Sequence, residues 1–118
     1  MEQVDKIIVQ KINKKEEDAL SRAETYYKLL SIINNLKLTE REIQLVAFTA
    51  IKGNMSYNSI RTEFCNKYNT SSPTINNMIS RLKKLNVLIK DGTKIKVAPI
   101  IILDFSKQIK LEINLIHG

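Results

Sequence analysis

Apolar residues recur at three- and four-residue intervals in the second half of the chain, most clearly between Ser72 and Asn86. Such a stripe predicts an amphipathic helix with one buried face. Ser72 can cap its start, and Pro73 suits the first helical position because its missing N–H would be unpaired there anyway. Asn86 tolerates the left-handed conformation that ends many helices. The stripe consists of Ile75, Met78, Ile79, Leu82 and Leu85.

A β-hairpin is predicted directly after this helix. Residues 87–90 and 93–97 have the composition of strands, and Asp91-Gly92 between them is a pair favoured in two-residue hairpin turns. The hairpin is basic, and the face of the helix opposite its apolar stripe carries hydrogen-bonding side chains. A polar helix face followed at once by a basic hairpin has the shape of a duplex-DNA reader.

Two shorter helices are predicted upstream. Thr39 and Glu42 have the spacing of a capping box, so the first of these helices should start there and stop at Gly53-Asn54. Ser56 is the next candidate N-cap. The apolar stripes are Ile43, Val46, Ala47, Ala50 and Ile51 in the first helix and Tyr57, Ile60, Phe64 and Tyr68 in the second.

Three helices and a β-hairpin in this order resemble the winged helix-turn-helix superfamily, over roughly Leu36 to Val97. We therefore expect a mainly α fold with a small β component: a winged helix-turn-helix core with an N-terminal helix and short terminal strands. In this superfamily the third helix enters the major groove, and the wing lies along the backbone or in the minor groove. The run from Ser-Pro-Thr into the hairpin looks like that of bacterial, plasmid or phage regulators and replication proteins.

The resemblance implies double-stranded DNA as the partner. Asn77 and Arg81 take the groove-facing positions of the third helix, with Asn76 beside them, and we expect Asn77 to suit adenine and Arg81 guanine. Other side chains would contact phosphates and set the register. These are Ser72, Thr74, Ser80, Lys83 and Lys84 on the helix and Lys90, Lys94 and Lys96 on the wing.

The formal net charge of +7 is concentrated on this predicted DNA-binding segment. Residues 37–98 carry eleven basic and four acidic groups, whereas basic and acidic groups cancel in residues 1–36 and again in residues 99–118. Local positive charge favours binding to a polyanion through counterion release. The alternative interpretation is that these lysines merely solubilise exposed faces.

The two ends of the chain carry patterns of their own. A long helix is predicted over residues 16–36, with a stripe that either packs on the core or forms a dimer interface. Residues 109–115 alternate strictly, residues 4–12 do so more loosely, and both are predicted strands that pair with each other or with a neighbouring chain. Residues 100–103 fit a strand or a helix. The helical stripe is Leu20, Ala23, Tyr27, Leu30 and Ile33.

These patterns divide the chain into three parts. We expect an N-terminal strand and helix extension at 1–35, which serves packing or dimerisation. The winged helix-turn-helix domain follows at 36–98, and a C-terminal β extension follows at 99–118. At 118 residues the chain is long enough for one modest domain with a small core.

No catalytic constellation is found in the sequence. The single histidine, His117, and the single cysteine, Cys65, supply neither a catalytic couple nor a structural zinc site, and the three glycines are too scattered for a phosphate-binding loop. We expect no enzyme activity, cofactor or metal. No signal peptide or membrane span is predicted, so the expected location is the cytoplasm of a bacterial or phage-infected cell, or a virion.

The leading hypothesis from the sequence is a duplex-DNA-binding transcription or replication regulator of bacterial, plasmid or phage origin. The alternative is a structural or adaptor protein of a larger assembly, such as a phage virion or packaging component, that uses the winged helix for protein contacts. A homo-oligomer fits either hypothesis. An RNA-binding winged helix is a third alternative, since a basic surface alone does not separate RNA from DNA.

Overall fold

The computed structural model describes residues 2–110 and residue 112, with side chains from residue 15 onward. Four helices lead into one antiparallel hairpin, which confirms the mainly α fold with a small β component. The assignment to the winged helix-turn-helix superfamily stays a prediction. The helices are α1 (Glu2–Ile33), α2 (Glu40–Lys52), α3 (Asn58–Tyr68) and α4 (Ser72–Lys84), the strands are β1 (Leu88–Asp91) and β2 (Lys94–Val97), and a 3₁₀ turn follows at Pro99–Ile101.

Helix α1 starts much earlier than the sequence predicts. It already includes residues 4–12, so the strand predicted there is wrong, and with it the pairing of two terminal strands within one chain. Val4, Ile7, Ile8 and Ile12 also fit helical spacing, and extending a formed helix is easier than nucleating a new element. Of the other predicted strand, residues 111 and 113–115 lie outside the described residues, and residues 109, 110 and 112 form no regular element.

Local capping explains where the shorter helices begin. The predicted capping box of α2 is confirmed: the Thr39 hydroxyl accepts a hydrogen bond from the Glu42 N–H at 3.2 Å, and the Glu42 carboxylate accepts one from the Thr39 N–H at 2.8 Å. The N-cap of α4 is Ser71, one residue before the predicted Ser72, and that of α3 is Tyr57 instead of Ser56.

The core forms where α1 packs along α2 and where α3 and α4 close against α2. The rings of Phe48, Phe64 and Tyr68 form one cluster between α2 and α3. On α1, Leu20, Ala23 and Tyr27 are buried, so this part of the predicted stripe packs on the domain. The last residue of the predicted stripe is not buried, since Ile33 is 63% exposed. A dimer interface on α1 stays a prediction.

The hairpin turn is displaced by one position from the predicted one, which shifts each cross-strand pair by two residues. Leu88 pairs with Val97 and Asp91 with Lys94, which makes Gly92-Thr93 the turn in place of Asp91-Gly92. Leu88 and Val97 are both buried, and this shared burial sets which residues face the core.

The connection between α2 and α3 pairs with the hairpin like a short third strand. The Met55 N–H donates to the Ile95 carbonyl at 2.8 Å, and the Ile95 N–H donates to the Asn54 side-chain oxygen at 3.0 Å. Asn54 is buried, and its oxygen also accepts from the Ser56 N–H at 2.9 Å. The hairpin is therefore tied to the helices through β2.

The chain after the hairpin runs back along α1. The Tyr27 hydroxyl donates to the Ile101 carbonyl at 2.9 Å, and the Arg22 guanidinium donates to the Phe105 carbonyl at 3.1 Å. Phe105 is buried against the rings of Tyr26 and Tyr27. This segment therefore completes the core on the α1 side and leaves α4 and the hairpin uncovered.

Candidate nucleic-acid interface

Helix α4 presents a row of polar side chains directly opposite its buried face. Successive residues of a helix are rotated by about 100°, so the centre of the outward face is occupied by the positions farthest from Ile75, Met78, Ile79 and Leu82. These positions are all exposed, and we call them the outer ridge. The outer ridge consists of Pro73, Asn77, Ser80 and Lys84.

Arg81 lies on the flank of α4 that faces α2. Its guanidinium donates to the Glu42 carboxylate at 2.6 Å and to the carbonyl oxygens of Leu36 and Lys37 at 3.2 and 3.4 Å. The Glu42 side chain is only 5% exposed. Because Arg81 already has three acceptors within the chain, a guanine-reading role would require these contacts to break.

Asn76 lies on the opposite flank, which faces α3. Its side-chain oxygen accepts a hydrogen bond from Arg61 at 2.5 Å, and the same guanidinium donates from Nε to the Met55 carbonyl at 2.9 Å. Arg61 and Arg81 therefore hold α4 from its two sides. Between these contacts Asn77 is exposed, and within the described residues its side chain has no hydrogen-bond partner.

The predicted phosphate contacts at the start of α4 are exposed. Ser72 and Thr74 lie in the first turn, and the Thr74 hydroxyl is 2.9 Å from that of the N-cap Ser71. Hydroxyls and free backbone N–H groups at a helix start are suited to an anion. The structure thus brings these groups to the N-terminal end of the outer ridge.

Ion pairs within the chain decide which basic groups remain available. Lys52 pairs with Glu16 and Glu63, and Lys67 pairs with Glu17, so two acidic residues in the middle of α1 neutralise lysines of α2 and α3. Within residues 37–98, five exposed lysines have no acidic partner. They are Lys37, Lys83, Lys84, Lys90 and Lys94.

Four of these five lysines lie on the last turn of α4 and at the tip of the hairpin. Lys83 and Lys84 end the helix, and Lys90 and Lys94 flank the turn between the strands. Lys96 is half-buried and pairs with Asp91 at 3.0 Å, so it is not among the available lysines, and its predicted phosphate contact stays a prediction. Most of the positive charge without an acidic partner therefore lies on α4, which carries the outer ridge, and on the hairpin that follows it.

Glu42 stays ionised although it is buried. Burial by itself would raise the pKa of this carboxyl, but the hydrogen bonds from the Thr39 backbone and from Arg81 outweigh it and hold the pKa below its usual range. A carboxyl with a depressed pKa adds stability above its unfolded-state pKa, and this contribution is lost as the pH falls through the folded-state pKa.

We expect Glu42→Gln to lower the free energy of unfolding by about 1–2 kcal/mol at neutral pH, since a charge-assisted hydrogen bond to a partly exposed guanidinium becomes a neutral one. The deficit should shrink as the pH falls below about 4, where the carboxyl of the unfolded chain becomes protonated, and should be lost below the folded-state pKa of Glu42. Urea unfolding of the wild-type protein and of Glu42→Gln, from neutral pH to below about pH 4, measures this difference in unfolding free energy. A deficit that is independent of pH would contradict this account of Glu42.

Two features of this site could not be anticipated from local sequence patterns. Glu42 fits a capping box, but nothing near it in the sequence indicates its partner 39 residues away. Asn54 follows Gly53 as a helix stop, and its bond to β2 joins residues 41 positions apart. The local sequence shows only that each is a polar residue next to apolar positions that are predicted to be buried. A polar side chain in such a place needs a hydrogen-bond partner.

Comparisons of the chain with protein-family models, curated proteins and solved structures found no match. Within the described part of the chain, no helix combines the length and the hydropathy that a membrane span needs. The same residues contain no group of three or more acidic, histidine or cysteine side chains that could hold a metal ion.

Proposed function

We propose that this protein binds duplex DNA, with the outer ridge of α4 in the major groove and the β1–β2 hairpin along the backbone, as a transcription or replication regulator of the winged helix-turn-helix type. The observation that carries the proposal is the exposed row of Asn77, Ser80 and Lys84, held between two arginine contacts and surrounded by lysines without acidic partners. An α-helix of this kind fits the width of the major groove.

The order of elements supports the winged-helix part of the proposal. Helices α2, α3 and α4 precede the hairpin, and the Asn54-Met55 connection bonds to β2 at Ile95. Strand β1 in turn contacts α4, so the hairpin lies beside α4 and a duplex lying on α4 would also meet the hairpin. Lys90 and Lys94 would then contact phosphates.

Base recognition is assigned to Asn77. Its amide can donate to N7 and accept from N6 only in the arrangement that adenine presents, so Asn77 is expected to favour adenine. We expect Asn77→Ala to cost about 1–3 kcal/mol on a selected site and to relax the preference for adenine at one position. Selection from a randomised duplex pool, followed by anisotropy measurements on the selected site, tests this.

Lys94→Ala is the control for that experiment, because a phosphate contact should weaken all sequences alike. If Asn77→Ala lost the same affinity on random and selected DNA, Asn77 would have no role in base recognition.

The binding face itself can be mapped by NMR. We expect addition of a random duplex of about two helical turns to shift the amide signals of α4, β1 and β2 and to leave those of Glu16 and Glu17 in place. The acidic residues serve as an internal control, since they lie on the segment of α1 that neutralises lysines. Shifts confined to α1 would contradict the proposed face.

A protein-binding role is the second candidate, in which the chain is an adaptor or structural component of a larger assembly. The observation that favours it is the set of exposed apolar side chains at the end of α1 and after the hairpin, where Ile32, Ile33 and Ile100 are 67%, 63% and 90% exposed. Sedimentation without DNA distinguishes the two roles: a ring or large complex supports the assembly role, and a monomer or dimer does not.

A further inference from the structure

Arg81 connects three parts of the chain that are far apart in sequence. It lies on α4, its carboxylate partner Glu42 lies in the first turn of α2, and its two carbonyl partners lie in the linker between α1 and α2. The same carboxylate oxygen of Glu42 also accepts from the Thr39 N–H. Glu42 therefore caps α2 and holds α4 at once.

The linker is shaped to offer its carbonyls to Arg81. Asn35 and Lys37 both have positive φ angles, 53° and 55°, a conformation that lysine rarely adopts. The linker is anchored at its other side by Ser31, whose carbonyl accepts from the Leu36 N–H at 2.9 Å and whose hydroxyl accepts from the Leu38 N–H at 3.1 Å. Arg81 thus joins α4 to a segment with a defined position relative to α1.

We propose that Arg81 is a positioning residue, which sets the orientation of the outer ridge by joining α4 to Glu42 and to the linker, and so controls DNA affinity without touching DNA. This inference rests on the proposed function, and it replaces the guanine-reading role that the sequence predicts for Arg81. A planar guanidinium is suited to this task because its fixed fork reaches one carboxylate and two carbonyls simultaneously, which an ammonium group does not.

A double-mutant cycle separates positioning from direct contact. If Arg81 acts through Glu42, then Glu42→Gln and Arg81→Gln should each weaken DNA binding about three- to thirty-fold, and the double variant should be no weaker than the worse single variant. If Arg81 touches DNA, Glu42→Gln frees its guanidinium, so that Glu42→Gln would bind at wild-type strength while Arg81→Gln would not. The latter result overturns the inference.

Arg81→Lys gives a second test in a variant that keeps the charge. Its ammonium can still pair with Glu42 but cannot also span the carbonyls of Leu36 and Lys37, so we expect a partial loss of affinity that lies between wild type and Arg81→Gln. Full retention of affinity in Arg81→Lys would show that charge alone matters and would overturn a role for the linker contacts.

NMR spectra recorded without DNA make this inference separable from the proposed function. In Arg81→Gln we expect amide shifts at Leu36 and Lys37 and, away from position 81 along α4, at Thr74 and Asn77, whether or not the protein binds DNA. Shifts confined to the immediate neighbours of position 81 would overturn the positioning role. Absence of DNA binding by the wild-type protein, with the amide shifts present, would instead overturn the proposed function and the effect on DNA affinity, and would leave the orientation of the outer ridge by Arg81 standing.

Discussion

Simultaneous replacement of Lys83, Lys84, Lys90 and Lys94 by alanine is expected to weaken binding to random duplex DNA by about a thousand-fold at 0.1 M salt. Each phosphate contact contributes about 0.9 to the slope of log affinity against log salt, so four contacts contribute between three and four orders of magnitude at that salt relative to 1 M. All four lysines are exposed, so the substitutions should leave the fold intact. Fluorescence anisotropy with a labelled duplex measures the loss.

A matched control separates this surface from net charge. Replacement of four other exposed lysines, all outside the proposed interface, lowers the net charge by the same amount. The variant should bind within about three-fold of wild type, because surface charges beyond the Debye length are largely screened. Equal losses in the two quadruple variants would show that binding follows total charge and not the α4–hairpin surface. The control lysines are Lys15, Lys28, Lys107 and Lys110.

Phe64→Ala is expected to lower the free energy of unfolding by about 3–5 kcal/mol, because removal of a fully buried aromatic ring leaves a cavity that the surroundings fill only in part. Phe64 is 0% exposed, and its ring centroid lies 4.7 Å from that of Tyr68 and 5.4 Å from that of Phe48. The total free energy of unfolding of such a domain is about 5–15 kcal/mol, so this loss is a large part of it. Urea unfolding with linear extrapolation measures the change.

Tyr57→Ala serves as the control for Phe64→Ala. Tyr57 is the aromatic N-cap of the same helix but is 59% exposed and makes no side-chain capping bond. Its removal should change the unfolding free energy by less than about 0.5 kcal/mol. If Phe64→Ala were no more destabilising than Tyr57→Ala, the core between α2 and α3 would not be packed as described.

The helices and the hairpin of residues 36–98 could be predicted because their signals are local. The Thr39–Glu42 capping box and the α4 stripe each lie within a few residues, and each holds in the structure. The hairpin turn was displaced by one position, because turn preference is local, whereas strand pairing also depends on bringing buried residues opposite each other. Leu88 and Val97 meet that requirement, and Val87 instead ends α4 by donating its N–H to the Leu82 carbonyl at 3.0 Å.

One sequence interpretation is wrong, and our proposal revises a second, for different physical reasons. Residues 4–12 carry apolar positions that fit both a strand and a helix, and continuity with the helix beyond them decides for the helix. Arg81 is exposed on a polar helix face, as a base-reading residue would be, yet its partners come from residues about forty positions earlier. Periodicity tells which face of a helix is polar, but it does not tell which polar residues are already bound within the chain.

The central claim, that the outer ridge and the hairpin lysines bind duplex DNA, is tested most directly by the salt dependence of wild-type binding to a random duplex. We predict that the log–log slope of affinity against salt is about −4, as expected for the five available lysines with one or none of them unused. The quadruple lysine variant at α4 and the hairpin keeps Lys37, so its slope should be no steeper than about −1. Absence of binding at low salt, or an unchanged slope in that variant, would contradict the account.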